Sequence, residues 1–203
     1  LAYLPAPNVV RLRLSAYEVE GKKVREEIDR EFEKLREIIP NNIAGFEDAS
    51  VEELVHNTLI ERGQTLAVAE SCTGGVIASK FTAQAGASAY FLCGVVSYSN
   101  EAKSNILGAK MSDIAQYGAV SEQVAMAMAQ GAKAISHSDF AISTTGIAGP
   151  TGGSEAKPVG TVWIGIATPD RCFAVRKNCG TDRSQIISRA AAYAIAMLYE
   201  ELK

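Results

Sequence analysis

From residue 51 onward, short apolar runs alternate with stretches of helical periodicity, and this alternation restricts the possible folds more than any other feature. "TLAVAE" (65–70), "GVVSYS" (94–99) and "DFAISTTG" (139–146) read as strands, the first two followed by residues with helical spacing and the third by a glycine-rich stretch. Helices are expected at 51–62, 74–84, 100–108 and 122–136. Ser50 with Glu53 forms a capping box ahead of the first, and Gly63 is a natural stop for it. Asn100 and Ser121 are read as N-caps of the third and fourth. "TVWIGIAT" (161–168) and "CFAVRKN" (172–178) flank the turn "PDR" as a hairpin. A last helix runs from about Asp182 to Leu202, with Ile186, Ala190, Ala194 and Leu198 on one face. Strands interleaved with helices and ending in a hairpin argue for a three-layer α/β/α sandwich around a mixed sheet.

The first fifty residues have a different character. They hold 18 of the 43 charged side chains, a shift that marks a small charged unit joined to a smoother one. "VVRLRLSAYE" (9–18) alternates apolar and polar residues as a half-buried strand does. In residues 21–39 helical spacing follows, with Val24, Ile28, Phe32 (or Glu31), Leu35 and Ile39 on one stripe. "PNNIAGF" (40–46) ends that helix and is read as the start of a second strand. Residues 1–46 are therefore expected to form a β-α-β unit with a core too small to stand alone, linked through "EDAS" to a main domain at 47–203. The chain opens on Leu1 rather than Met, which reads as a fragment or a processed product.

Composition excludes several functions. A net charge of −3 shows no basic stripe for nucleic acid. No apolar run approaches the roughly 20 residues that span a bilayer, and no signal peptide is visible, so neither a membrane nor secretion is expected. Cys72, Cys93, Cys172 and Cys179 form no C-x-x-C pair and read as reduced thiols of a cytoplasmic protein, with no metal site.

In open α/β sheets, ligands gather at the carboxyl ends of strands. Three such ends carry small, polar or glycine-rich sequence here: "ESCTGG", "SYSNEAK" and "TTGIAGPTGG". If they converge, Ser71, Thr73, Tyr98, Asn100, Lys103, Thr144 and Thr145 line one pocket. Ser71 needs a base. The usual choice, histidine, is poorly placed: His56 is expected on the polar face of the first helix of the main domain, and His137 at the amino end of the sheet. No G-x-S-x-G elbow occurs either. Lys103 is the remaining candidate, because a lysine removed from water loses its proton more easily. A Ser71–Lys103 pair stands here beside the plainer alternative of a capping Ser71 and a surface Lys103. Cys72 is a rival nucleophile, more simply read as packing. "TGIAGPTGGSEAKPVG" (145–160) could cradle an anion with its amides, or be a surface loop, and Arg183 could add positive charge.

Five blocks ("AESCTGG", "VVSYSNEAKSNILG", "YGAVSEQVAMAMAQGA", "STTGIAGPTGG" and "KPVGTVWIGIA") together resemble the CinA C-terminal domain family, the nicotinamide-nucleotide amidohydrolases. The resemblance runs over residues 51–203, and residues 1–46 resemble the KH-like middle domain of full-length CinA proteins; their N-terminal molybdopterin-binding-like domain has no counterpart here. A G-x-x-G loop is missing from the KH-like piece, so RNA binding is not expected of it. The resemblance implies hydrolysis of the carboxamide of nicotinamide mononucleotide to nicotinic acid mononucleotide and ammonia. It implies a serine nucleophile at Ser71, a lysine partner at Lys103, a tyrosine at Tyr98, a glycine-rich loop including Thr144, Thr145, Gly146 and Gly149, and an arginine at Arg183. The family's G-D-R triplet reads Thr181-Asp182-Arg183. The amides of Thr73, Gly74 and Gly75 are then the expected oxyanion donors, and Asn100 joins the substrate-binding set. No cofactor is expected; the expected partner is the small-molecule nucleotide, and a homo-oligomer, with a dimer favoured, completes the expectation. A non-catalytic nucleotide-binding module serving another domain is the alternative.

Overall fold

Residues 1–6, 9–16, 21–40, 43–45 and 49–203 are described by the structure, a computed structural model. They divide into two units, Leu1–Ser50 and Val51–Lys203.

In the first unit β1 (Ala2–Ala6) pairs antiparallel with β2 (Val9–Arg13), and α1 (Gly21–Ile38) follows. Val24, Ile28, Phe32, Leu35 and Ile39 are the half-buried positions of the helical region, so Phe32 and not Glu31 completes the expected stripe. β1 has no strand signature in sequence, because Pro5 interrupts a five-residue run; as half of a hairpin it tolerates a missing donor. The second strand expected within residues 40–46 falls partly on positions 41, 42 and 46, outside the described residues. The described positions 43–45 have no regular structure.

The second unit opens with α2 (Val51–Arg62), β3 (Leu66–Glu70) and α3 (Val76–Thr82). β4 (Phe91–Val96), α4 (Asn100–Leu107), α5 (Met111–Tyr117) and α6 (Glu122–Ser136) follow. β5 (Phe140–Gly146), β6 (Thr161–Ala167), β7 (Cys172–Asn178) and α7 (Arg183–Leu202) complete it. The sheet order is β4-β3-β5-β6-β7, with β4, β3 and β5 parallel and the β6–β7 hairpin antiparallel. This is the expected mixed α/β sandwich.

Alternation along β3 sorts the layers. Leu66 and Val68 join a core with Val55 and Leu59 of α2, Ile77 and Phe81 of α3, and the Ile186–Ala190–Ala194–Leu198 stripe of α7. Ala67 and Ala69 face the other way, with Leu107, Ile114, Val124 and Met128 of α4, α5 and α6. Fully burying an aliphatic side chain of that first core contributes about 1.5–3 kcal/mol. On the α6 side small residues govern the approach. A Cβ at Gly165 of β6 would lie 2.6 Å from the Ala125 carbonyl oxygen and 2.5 Å from Ser143 Oγ. Only a residue without a side chain lets α6 lie so close.

Two details differ from the sequence reading. The cap of α4 is Ser99, whose hydroxyl accepts from the Ala102 amide, so the helix is capped one residue earlier than expected. His56 is half-buried, with its ring edge-on to Tyr90 at 5.3 Å, rather than on a polar face. His137 ends α6, exposed at the amino end of β5, where the sequence put it.

Gly165→Ala is expected to destabilise the protein by about 1–3 kcal/mol, read as a lower urea midpoint at unchanged slope. An unchanged midpoint contradicts the close α6–β6 approach.

Candidate active site

The carboxyl ends of β4, β3 and β5 lie side by side, with Val96, Glu70 and Thr144 in one register row. Beyond Glu70 the chain turns sharply into α3. The Ser71 amide donates to the Thr144 carbonyl (3.0 Å), Gly74 to the Ser71 carbonyl (3.2 Å), and Val76 to the Thr73 carbonyl (3.1 Å). Gly74 and Gly75 have φ of 63° and 100°, the left-handed region that a side chain resists. Thr73 Oγ1 and Thr144 Oγ1 are 2.6 Å apart, fastening the turn to β5. Glu70, a residue to which sequence reasoning gave no role, curls back: its carboxylate accepts from the amides of Gly75 (3.0 Å), Ile77 (3.1 Å) and Ala78 (2.8 Å).

From the neighbouring strand end, the Ser97 amide donates to the Glu70 carbonyl (2.8 Å), and Ser99 caps α4. Lys103 sits one turn into α4 and reaches back under the loop. Its Nζ lies 3.0 Å from Ser71 Oγ, 2.9 Å from the Ser97 carbonyl oxygen and 3.5 Å from that of Tyr98. Lys103 is 2% exposed and Ser71 8%. Among the described residues no carboxylate pairs with the amine. Burial therefore lowers the Lys103 pKa; the charge of a Cys72 thiolate would oppose this. That thiolate does not form near neutrality, because burial first, and the nearby Cys179 second, push the Cys72 thiol up to about 12. All three neighbours of Nζ can accept a hydrogen bond; in the neutral amine two N–H groups serve the two carbonyls, which only accept, and the lone pair faces the Ser71 hydroxyl.

The structure thus brings Ser71 and Lys103 into direct contact and makes Cys72 an inert neighbour. Tyr98 contributes its carbonyl to Lys103; its side chain is 65% exposed, and its hydroxyl accepts from the Arg183 guanidinium at 3.4 Å. Arg183, at the first position of α7, also donates to the Gly149 carbonyl (2.7 Å), tying the glycine-rich loop to the site. Thr145 lies on the opposite face of β5 from Thr144 and donates to the Ala119 carbonyl. At Gly146 a Cβ would crowd Val162, the Thr161 carbonyl and Cys72 Sγ, so its role is packing. Asn100 is exposed, and among the described residues its side chain has no hydrogen bond. Of the three amides expected to face an oxyanion, Gly74 and Gly75 are engaged, by the Ser71 carbonyl and Glu70. Among the described residues, the Thr73 amide has no partner and that of Cys72 has only its own thiol.

An open depression of about 610 Å³ lies at the other end of the sheet, lined by Lys133, His137, Thr168 and Arg171. Its cations are engaged, Lys133 with the Thr168 carbonyl and Arg171 with Glu201. Among the described residues no cluster of three His, Cys, Asp or Glu side chains could hold a metal, and no helix is long and apolar enough to cross a membrane.

A family model described as "CinA C-terminal domain" matches residues 48–202. The chain belongs to the CinA C-terminal domain family. A CinA-like protein of Flavobacterium psychrophilum is 44% identical over 203 residues, covering all of this chain and 49% of that protein. A CinA-like protein of Thermotoga neapolitana is 43% identical over 194 residues, 96% of this chain and 46% of that protein. The chain therefore spans about half the length of the curated relatives it matches. The crystal structure of the competence damage-inducible protein A of Klebsiella pneumoniae superposes with a TM-score of 0.72 at 38% identity, covering 76% of this chain and 98% of that one. The CinA sandwich is thus the fold of the matched part of the chain.

Iodoacetamide at pH 8 is expected to leave Cys72 unmodified in the folded protein, as read by peptide mass spectrometry. Rapid modification of Cys72 contradicts a buried, protonated thiol.

Proposed function

We propose that this chain is a serine amidohydrolase that converts nicotinamide mononucleotide to nicotinic acid mononucleotide and ammonia, with Ser71 as nucleophile and Lys103 as base, a step of pyridine nucleotide recycling. The observation that carries this reading is the 3.0 Å contact between Lys103 Nζ and Ser71 Oγ in a buried setting without a carboxylate. The substrate follows from the family pattern at Ser71, Tyr98, Lys103 and Arg183, set out above.

In this mechanism neutral Lys103 removes the hydroxyl proton as Ser71 Oγ attacks the carboxamide carbon. The negative charge that develops on the amide oxygen is met by the amides of Thr73 and Cys72. The Lys103 ammonium returns the proton to the leaving nitrogen, the C–N bond breaks, and ammonia departs from an acyl-Ser71 ester. Lys103 then activates water, which splits the ester into the carboxylic acid and free Ser71. The exposed guanidinium of Arg183 is suited to the 5′-phosphate, since a phosphate can accept several of its donors.

Ser71→Ala and Lys103→Met are each expected to lower kcat/KM for ammonia release by about 10³-fold or more, by analogy with the loss of one member of a nucleophile–base pair. Saturable binding of the mononucleotide by the unaltered protein without ammonia release would mean a binding module and defeat the proposal. Turnover retained by Ser71→Ala would defeat the nucleophile.

A further inference from the structure

Glu70 is 1% exposed, yet among the described residues no cation pairs with its carboxylate. A carboxylate removed from water is costly unless its oxygens are hydrogen-bonded. Here Oε2 takes the Gly75 and Ile77 amides and Oε1 the Ala78 amide, so the charge is spent wholly on the main chain at the start of α3. The Glu70 carbonyl also accepts from the Ser97 amide, and the Ser97 carbonyl holds Lys103 Nζ. One residue therefore grips both halves of the site. Its side chain closes the turn that carries Ser71, and its main chain holds the segment to which Lys103 is anchored.

The hydrogen bonds of the turn show what this grip selects. The Ser71, Gly74, Gly75 and Val76 amides are all engaged, and the Gly75 amide is engaged by Glu70 alone. Among the described residues, the Thr73 amide beside Ser71 takes no acceptor and the Cys72 amide only its own thiol. Gly74 and Gly75 have no side chains to limit their torsions. Without the carboxylate, the Gly75 amide and its neighbours in α3 would lose their acceptor, and the turn could settle with other amides toward Ser71.

We propose that Glu70 is a positioning residue of the Ser71–Lys103 site: by taking three main-chain amides of the turn and α3, it presents the Cys72 and Thr73 amides to the oxyanion. The proposal rests on the amidohydrolase reading above. Glu70→Gln keeps the shape but sets an NH₂ group against at least one amide donor, so the turn can no longer be held as it is.

The test measures kcat and KM for ammonia release, and the rate at which an organofluorophosphonate probe modifies Ser71, in the full chain and in Glu70→Gln. Circular dichroism and thermal melting verify folding. The probe forms a tetrahedral adduct whose oxygen takes the oxyanion position, so it reports on the donors without the natural substrate. In folded Glu70→Gln, kcat and the modification rate are both expected to fall on the order of 10²-fold, the size of losing one oxyanion donor, with KM changed less than about threefold. A folded Glu70→Gln within about twofold of the parent in both readouts overturns the proposal, as does a lower melting temperature with unchanged kcat. Should Glu70→Gln fail to fold, Ala78→Pro decides by the same criteria at about tenfold, because it removes one of the three donors in the first helical turn, where proline is tolerated. A parent protein that neither releases ammonia nor reacts with the probe at Ser71 defeats the amidohydrolase reading instead.

Discussion

A lysine amine buried with two carbonyl oxygens and one serine hydroxyl, and among the described residues with no carboxylate to share its charge, is the constraint on which the site depends. Placed in water the same amine would be protonated and useless as a base. Surrounded by protein, its charged form loses hydration, and the two carbonyls offset only part of that loss. Deprotonation is therefore easier than for a lysine in water, and once neutral the amine has a single lone pair to meet the proton of Ser71.

The fold supplies this environment through strand order. β3 lies between β4 and β5, so the loops that leave these parallel strands at one end must be neighbours. Ser71 follows β3, Lys103 follows β4 by one helical turn, and Thr144, near the end of β5, is bonded to the turn. The first turn of α7 then reaches over with Arg183, joining the Tyr98 hydroxyl to the Gly149 carbonyl. Alanines on one face of β3 and Gly165 on β6 let α6 sit close to the sheet, and β3 is buried on both sides. A strand covered on both faces moves little, and a nucleophile at its end inherits that rigidity.

Sequence pattern revealed the elements that carry strong periodicity: β3, β5, the β6–β7 hairpin, α6 and α7. It revealed Ser71 and Lys103 as candidates, because the scarcity of well-placed histidines left one lysine at a strand end. It did not reveal that they touch, since that depends on β3 and β4 being adjacent. Short α5 and β1 gave too few turns or alternations to stand out. The cap of α4 was misplaced by one residue because Ser99 and Asn100 are both good caps, and the choice rests on backbone torsion. The Cys72 and Thr73 amides, and the Ser97 and Tyr98 carbonyls, are main-chain groups without a residue signature. Glu70 does carry a signal in sequence: a carboxylate closing an otherwise apolar strand needs a partner, and a following glycine turn offers amides.

The chemistry of the site depends on the charge of Lys103. Its most direct test is a titration of the Lys103 side chain in the folded protein, followed through the ¹³Cε resonance with Lys103→Met as the assignment control. Burial is expected to set the midpoint below the ordinary lysine value of 10.5. The sign carries through to stability: between that midpoint and 10.5 the unfolded chain binds a proton at this site that the folded chain does not, so this group's contribution rises with pH across the window. A midpoint at or above 10.5 would mean a lysine that stays charged through the physiological range, and the base assigned here would be wrong.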